Sequence, residues 1–333
     1  MLIEYITKNA RLLSGVFFSL LLSACAGTPQ TQRLSTEPPT NIPQSVELAG
    51  VAFFPQEKYQ CGPAALATVL TAQGIEVSPD ELVDKVYLPE RQGSLQIEMV
   101  ATARSYQQLT YKLSGQLDAI LQEVASGRPV LIFQNLSLPW IPQWHYAVVV
   151  GYDLEQELLI LRSGVTERRI TPFSTFERTW QRGDYWAYVL AEPGDIPVTA
   201  NVLEYSRSAT ALMQAGYEES ARKAFEAAGQ HWPVQALPQM MLGNAFYAAK
   251  DYNKARLAFS RAVTIEPENA QAWNNLAYAL TAAKCRVGAV KAIGCAVRLN
   301  PEDNNLADSL KEIVGQRDIP AGQCEVPRCP RFQ

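Results

Sequence analysis

The feature that most constrains this chain is a 34-residue period in its C-terminal half. Three prolines mark it, Pro233, Pro267 and Pro301. Small and large apolar residues recur in register ahead of each proline, namely Ala221, Phe225 and Ala228, then Ala255, Phe259 and Ala262, then Ala289, Ile293 and Ala296. A period of this length indicates stacked supersecondary units, and proline is a common end to a helix within them. An array of two-helix units is therefore predicted.

The pattern resembles the tetratricopeptide repeat. The resemblance implies units at about 202–235, 236–269 and 270–303, followed by a capping helix that extends the all-α solenoid to residue 316. Such arrays bind a protein or peptide partner on a concave surface, or they support a neighbouring domain, and both alternatives stay open. His231 falls in a turn between units, so we do not expect it to be catalytic.

An apolar stretch near the N-terminus, LLSGVFFSLLLSA, is too short for a confident membrane span. It ends in LSAC at residues 22–25, which resembles the lipobox of bacterial lipoproteins. The resemblance implies that the signal peptide 1–24 is removed and that Cys25 is lipidated. Ala26 follows the cysteine, which implies anchoring at the outer membrane, facing the periplasm. The alternative is an ordinary secretory signal.

Residues 25–48 are rich in Pro, Thr, Gln and Ser and lack a periodic apolar pattern. Such a segment buries too little apolar surface to offset its ordering entropy. A flexible, extended tether is predicted here.

Composition argues against a nucleic-acid partner. The 333 residues include 29 Lys and Arg and 33 Asp and Glu, a net charge of −4, without a basic run or a basic–aromatic stripe. No later run of about 18 apolar residues occurs, so we expect no further membrane span. No cofactor or metal is predicted.

The middle of the chain, residues 49–195, alternates helical and strand patterns. Gly and Pro positions, capping signals and apolar runs place the elements. Helices are expected near 61–73, 94–105 and 116–126, with a short helix opening at the capping box 78–81 and another beginning at 171–172. Strands are expected at 129–134, 145–152, 157–162 and 184–191. Helices that precede a sheet fit an α+β, papain-like layout.

Cys61 and His145 are the one Cys–His pair that this domain offers. Cys61 begins the helix CGPAAL, where aligned peptide dipoles are expected to lower its pKa. His145 starts a strand 84 residues later and could complete a thiolate–imidazolium pair, then protonate a leaving amine. The pair predicts a cysteine nucleophile.

These residues resemble the papain-like bacteriocin-processing peptidases, which remove double-glycine leader peptides. The resemblance rests on Gln56, on the CGPAAL stretch and on HYAVVVGYD from His145. It implies that Cys61 is the nucleophile, that His145 is the base, and that the Gln56 side chain and the Cys61 backbone N–H form the oxyanion hole. A peptide or protein would be the substrate.

Three positions depart from the family pattern: Gln56 is five residues before Cys61 where many relatives have six, Gln60 stands where aspartate is common, and the third departure is the most important. Relatives carry Asp or Asn at the end of the strand after the histidine, whereas this chain has Ser163 there. Ser163 is the candidate for orienting the imidazole, and a neutral hydroxyl does so more weakly than a carboxylate. The alternative function is therefore a weak or inactive peptidase-like lipoprotein that acts as a protein-binding scaffold.

Cysteine counting supports a reactive thiol. Cys285 and Cys295 lie in one predicted helix about 15 Å apart, too far to pair with each other. Each could bridge to Cys324 or Cys329 in the tail 317–333, with the connectivity open, and Cys61 would then remain free. A zinc site at the four late cysteines is the alternative.

Overall fold

The computed structural model describes residues 27–55, 60–91, 93–316 and 324–330. A mixed α+β domain comes first and a purely helical segment follows, as predicted. The predicted signal peptide 1–24, Cys25 and Gln56 lie outside the described residues. Within the part that is described, no helix has the length and apolar character needed to cross a membrane.

The first domain is built around one antiparallel sheet. Its strands are β1 (Ser45–Glu47), β4 (Leu109–Lys112), β5 (Val130–Asn135), β6 (Trp144–Asp153), β7 (Leu158–Ser163), β8 (Thr166–Pro172) and β9 (Ala187–Ala191). The order is β4-β9-β5-β6-β7-β8, and β1 pairs with the end of β6. Two short strands, β2 (Tyr87–Leu88) and β3 (Gly93–Ser94), form a separate hairpin. One turn of 3-10 helix, Pro89–Arg91, lies between them.

Helices cover both faces of this sheet. The domain's helices are α1 (Pro29–Thr36), α2 (Cys61–Thr71), α3 (Pro79–Val86), α4 (Gln96–Ser105), α5 (Leu117–Ala125) and α6 (Phe173–Gln181). Successive side chains of a strand point to opposite faces. Tyr146 and Val148 of β6 therefore pack among α2, α3 and α4, while Ala147 and Val149 pack with α5 and α6. Burial on both faces explains the continuous apolar run of β6.

Seven helices form the second part. They are α7 (Val202–Gln214), α8 (Glu218–His231), α9 (Ala236–Ala248), α10 (Tyr252–Ile265), α11 (Ala270–Ala282), α12 (Arg286–Leu299) and α13 (Asn304–Gly315). The pairs begin at Val202, Ala236 and Ala270, 34 residues apart. The recurring alanines are fully buried between helices, and Gly243 lies directly against the ring of Phe259. Small residues thus set the close helix packing that produces the period.

The repeats join the sheet at its edge strand β4. Ser208 of α7 donates its hydroxyl hydrogen to the Thr110 carbonyl at 2.9 Å. Tyr111 donates from its hydroxyl to the Thr199 carbonyl at 3.1 Å. The first repeat therefore covers a strand edge that would otherwise be open.

The predicted tether is wrong for most of residues 27–48. Residues 29–36 form α1, and Leu34 is buried in the core. The carboxylate of buried Glu177 accepts hydrogen bonds from the backbone N–H groups of Gln30 and Thr31 and from the Thr31 hydroxyl. This helix could not be predicted from composition, because it is held by one buried carboxylate at its N-terminus rather than by an apolar stripe.

The C-terminal tail lies on the last repeat through two disulfides. Cys285 bonds to Cys324 and Cys295 bonds to Cys329. Val326 reaches the helix at Gly288, where an added Cβ would lie 2.8 Å from a Val326 methyl carbon. The two bridges settle the connectivity that the sequence left open, and among the described cysteines Cys61 alone is free.

Candidate active site

Cys61 is the first residue of α2, with Gln60 at the N-cap and Pro63 in the first turn. The residue after it must be glycine, because a Cβ on Gly62 would overlap the Ser94 hydroxyl of β3. The hairpin that ends at Ser94 thus packs tightly against the helix start. This contact and the helix itself determine where the Cys61 sulfur lies.

His145 is the second residue of β6, opposite Gln134 of β5. On its other side β7 ends at Ser163, so the first residues of β6 are left without a strand partner there. His145 Nε2 and Ser163 Oγ lie 2.9 Å apart, within hydrogen-bond distance. Both predicted residues are therefore brought together, although Ser163 was singled out only as the nearest replacement for an acid.

The Cys61 side chain lies near the first residues of β6, which have no strand partner on the β7 side. The backbone N–H groups of Tyr146, which directly follows His145, and of Gly62 and Cys61 act to lower the pKa of the Cys61 thiol. No hydrogen bond joins Cys61 to His145 themselves, both of which lie in the described part of the chain. Catalytic hydrogen bonds are often long in a protein without substrate and tighten when it binds.

Burial controls the ionisation of both groups. It raises the pKa of the Cys61 thiol above its ordinary 9.0, and the three backbone N–H groups that lower it do not offset this effect. The pKa of His145 falls to about 4, first because the ring is buried and second because Arg169 is close. The expected lowering of the Cys61 pKa is therefore wrong. At neutral pH both groups are uncharged.

A buried arginine beside Ser163 connects the site to the chain that leads toward Cys61. Arg162 donates to the carbonyl oxygens of Val51 at 3.2 Å, Glu167 at 2.9 Å and Ala49 at 3.4 Å. Sequence reasoning missed this residue. Its signal is a charge within the apolar run ELLILR, since a buried cation needs several acceptors.

Aromatic side chains form the wall next to the site on the α2 face. The rings of Phe133 and Trp144 stack with centroids 5.1 Å apart, and Tyr146 and Trp186 pack against Phe133 at 4.7 and 6.4 Å. Tyr146 also donates from its hydroxyl to the Ser94 carbonyl at 3.2 Å. Aromatics at alternate positions of neighbouring strands could have indicated this cluster.

The repeats offer a separate cavity between α7 and α9, the first helices of two successive units. Its volume is about 290 Å³, and its lining includes Leu203, Arg207, Leu237 and Met241. Ser206, Thr210 and Gln214 add polar groups to this lining, so the cavity offers basic, polar and apolar contacts.

Comparison with protein families assigns both parts. Residues 48–187 match the Peptidase_C39 like family. This domain is C39-like. Residues 243–282 match a TPR repeat. The two resemblances predicted from the sequence are thereby confirmed for the C39-like domain and for the repeats, and lipidation at Cys25 stays a prediction.

Several solved structures are similar to parts of the chain. A C39-like peptidase from Bacillus anthracis is 19% identical with a TM-score of 0.39, over 45% of this chain and 98% of that one. A double glycine motif protease from an AMS/PCAT transporter, in complex with the leader peptide, is 20% identical with a TM-score of 0.33, over 42% and 90%. The second TPR domain of human RPAP3, in complex with an HSP70 peptide, is 15% identical with a TM-score of 0.32, over 34% and 94%. No curated protein matches the chain.

Proposed function

We propose that the protein is a membrane-anchored cysteine peptidase that hydrolyses peptide bonds through Cys61 and His145. One observation carries the proposal. His145 has its Nε2 within hydrogen-bond distance of Ser163 Oγ, and Cys61 packs at the start of α2 in the same apolar cluster as Tyr146, the residue after His145. An Nε2–H that donates to Ser163 Oγ leaves the lone pair of Nδ1 available as a base.

The reaction starts from neutral groups. As the Cys61 sulfur attacks the scissile carbonyl, its proton passes to His145 Nδ1. The oxyanion accepts a hydrogen bond from the Cys61 backbone N–H and, by resemblance, from the Gln56 side chain. The C–N bond then breaks and the imidazolium protonates the leaving amine. Water, deprotonated by the neutral imidazole, attacks the thioester, and the thiolate leaves and regains the proton.

The proposal places the protein in the bacterial cell envelope. Lipidation of Cys25 would anchor it at the outer membrane on the periplasmic side, where disulfides such as Cys285–Cys324 persist. The repeats would bind a protein or peptide partner, and the cavity between α7 and α9 supports this role.

A non-catalytic scaffold is the second candidate, and a specific observation favours it. Burial opposes the charged form of both Cys61 and His145, so a resting thiolate–imidazolium pair is disfavoured. Ser163 adds no negative charge to compensate. Under this alternative the C39-like domain and the repeats would together bind proteins at the membrane without cleaving them.

Cleavage of a peptide library by the full chain in detergent, under reducing conditions, separates the two candidates. We expect cleavage that disappears in Cys61→Ala and falls by about 10²–10⁴-fold in His145→Ala. His231→Ala is the matched control, because this second histidine lies in the repeats at the end of α8. Wild-type protein that cleaves nothing, or cleavage that survives in Cys61→Ala, contradicts the peptidase.

A further inference from the structure

The loop between β5 and β6 presents apolar side chains to solvent beside the active site. It spans residues 136–143, LSLPWIPQ, and carries no charge. Trp140 is 74% exposed, Ile141 66% and Leu138 47%. Exposed apolar side chains that are contiguous mark a contact surface more often than isolated ones do. The loop ends next to Trp144 and His145, so whatever covers it lies at the active site.

This loop is firmly held. Buried Asn135 accepts hydrogen bonds at its Oδ1 from the N–H groups of Ser137 and Gln143, at 3.0 and 2.8 Å. Leu136 N–H donates to the Gln143 carbonyl, and Ile141 N–H donates to the Leu138 carbonyl.

Two of the eight residues are prolines, which have no N–H, so these four bonds satisfy four of the six backbone donors. The N–H groups of Leu138 and Trp140 have no partner among the described residues and need water, so the loop suits the hydrated interface of a bilayer rather than its hydrocarbon core.

Other exposed apolar residues gather at the same end of the sheet. In an antiparallel sheet of this order, the last residues of β4, β5 and β7 meet the first residues of β9, β6 and β8. The described part of residues 27–195 exposes seven large apolar side chains, and five of them lie on connections or strand starts at this end: Leu138, Trp140, Ile141, Trp144 and Val165. Val165 is in the β7–β8 turn, two residues after Ser163.

The start of the described chain lies at this end as well. Gln30 of α1 donates from its side chain to the Gly115 carbonyl and accepts from Leu117 N–H. Gly115 comes three residues after the last residue of β4, at the end of the sheet that carries the loop. Thr28, three residues after Cys25 in the sequence, is already buried.

We propose that this end of the C39-like domain rests on a lipid bilayer, with Leu138, Trp140 and Ile141 inserted into the interface. The inference rests on the anchoring proposed above and adds the orientation of the domain. A lipid on Cys25 would hold the same sheet end at the membrane that the uncharged loop faces. Tryptophan beside aliphatic side chains is the composition that bilayer interfaces favour. The substrate class that follows is a peptide segment held at the membrane surface.

A bilayer explains the shape of this surface better than a peptide does. Sites for small ligands and peptide side chains are concave and bury what they bind. Here the side chains project outward from the tips of a hairpin and a turn, with Trp140 and Val165 each about three-quarters exposed. Side chains that project in this way can insert into a bilayer, which is a deformable and extended surface.

Fluorescence of the full chain reconstituted in vesicles tests the orientation. The vesicles contain phosphatidylethanolamine and phosphatidylglycerol, part of it brominated near the headgroup end of the acyl chains to quench inserted tryptophans. We expect wild-type fluorescence to be quenched, and Trp140→Phe to lose most of that quenching. Trp232→Phe, in the repeats, is the matched control and should leave it unchanged.

The outcomes separate this inference from the peptidase. Quenching that is equal in wild type and Trp140→Phe overturns the orientation while anchoring stands, and a chain that does not float with the vesicles overturns both. A Trp140 signal that responds only to added soluble peptide also overturns it and assigns the loop to substrate. Cys61→Ala should be quenched like wild type, so a protein without peptidase activity would still show the insertion.

Discussion

The C39-like domain and the repeats are built from different kinds of contact. This difference explains which properties a substitution in each region should change. In the repeats, buried alanines and Gly243 pack within and between neighbouring helices, so each unit repeats the contacts of the last. In the C39-like domain, Cys61 of α2 is joined by His145 and Ser163 from the paired strands β6 and β7, which lie much later in the chain. A substitution in the repeats should therefore mainly lower the free energy of unfolding. A substitution around the site should mainly lower the rate of peptide cleavage.

The two regions also use cysteine differently. The repeats commit four cysteines to disulfides that fasten the tail to α12, while the C39-like domain keeps Cys61 free and largely buried. A thiol without a partner in an oxidising compartment is a liability unless it has a chemical role. This difference is the strongest reason to test the two regions side by side.

The largest stability change should come from the second disulfide. Cys295→Ala combined with Cys329→Ala removes a bridge that closes a separation of 34 residues. We expect the repeats to lose about 2–4 kcal/mol of unfolding free energy, since the unfolded chain gains conformational freedom. Urea unfolding followed by hydrogen exchange in α12 and α13 measures this loss.

Iodoacetamide labelling of Cys61 serves as the control and should not change in the double variant. Dithiothreitol should destabilise the wild type more than the double variant, which has one bridge fewer to lose. An unchanged urea midpoint for the repeats would contradict the view that the tail is fastened for stability.

The next effect concerns His145 and pH. The folded pKa, about 4, lies below the ordinary 6.5, so between these values the unfolded chain binds a proton that the folded chain excludes. The stability contributed by the neutral ring is complete above pH 6.5 and is lost as the pH falls toward 4, by at most about 3 kcal/mol.

Urea unfolding of the full chain from pH 8 to pH 4 measures this loss. His145→Gln should flatten the pH dependence, whereas His231→Gln in the repeats should not. Equal slopes in wild type and His145→Gln would show that the ring is accessible to protons in the folded state.

The sequence predicts well those helices and strands that depend on contacts between residues close together in the chain. The 34-residue period located the helix pairs of the repeats, and apolar runs located β5, β6 and β7, since both patterns follow from burial within a few residues. Strand β8 was missed because most of its side chains are exposed, as an edge strand allows. The contact of α1 with Glu177, almost 150 residues away, has no local signal.

For the site, the sequence indicated that His145 and Ser163 meet, but not the charge states of Cys61 and His145. Cys61 at a helix start predicts a lowered pKa when only the peptide dipoles are considered. The burial that reverses it comes from packing of β6 and the aromatic wall around the sulfur, which is long-range information. The partnership of His145 with Ser163 was predictable because His145 lies at the start of β6 and Ser163 at the end of the neighbouring strand β7.

A smaller effect comes from adding one methyl group to a glycine in each region. On Gly62 it would overlap the Ser94 hydroxyl, and on Gly243 it would lie 2.5 Å from a ring carbon of Phe259. Overpacking of this kind costs about 1–3 kcal/mol. We expect both Gly62→Ala and Gly243→Ala to lower the melting temperature, but only Gly62→Ala to slow peptide cleavage, because it displaces the start of α2.

Second-site changes provide the control. Ser94→Gly should restore cleavage to Gly62→Ala by removing the overlapping side chain, and Phe259→Leu should restore part of the stability lost in Gly243→Ala. If Gly243→Ala cleaves peptides more slowly at a temperature where the variant is folded, the repeats affect catalysis as well as stability, which contradicts the prediction.

The smallest expected effect tests whether the hydroxyl of Ser163 replaces the missing acid. Ser163→Ala removes one neutral hydrogen bond to His145, worth about 1 kcal/mol, so kcat/KM should fall roughly fivefold. Ser163→Asp should instead raise the pKa of His145 by placing a carboxylate beside the ring, and the acidic limb of the pH–rate profile should move upward from about 4. Ser163→Asn, which has nearly the same shape without the charge, should leave that limb in place. If Ser163→Asp and Ser163→Asn give the same acidic limb, Ser163 does not orient the base. The contrast between a C39-like domain that determines chemistry and repeats that determine stability then loses its support from Ser163.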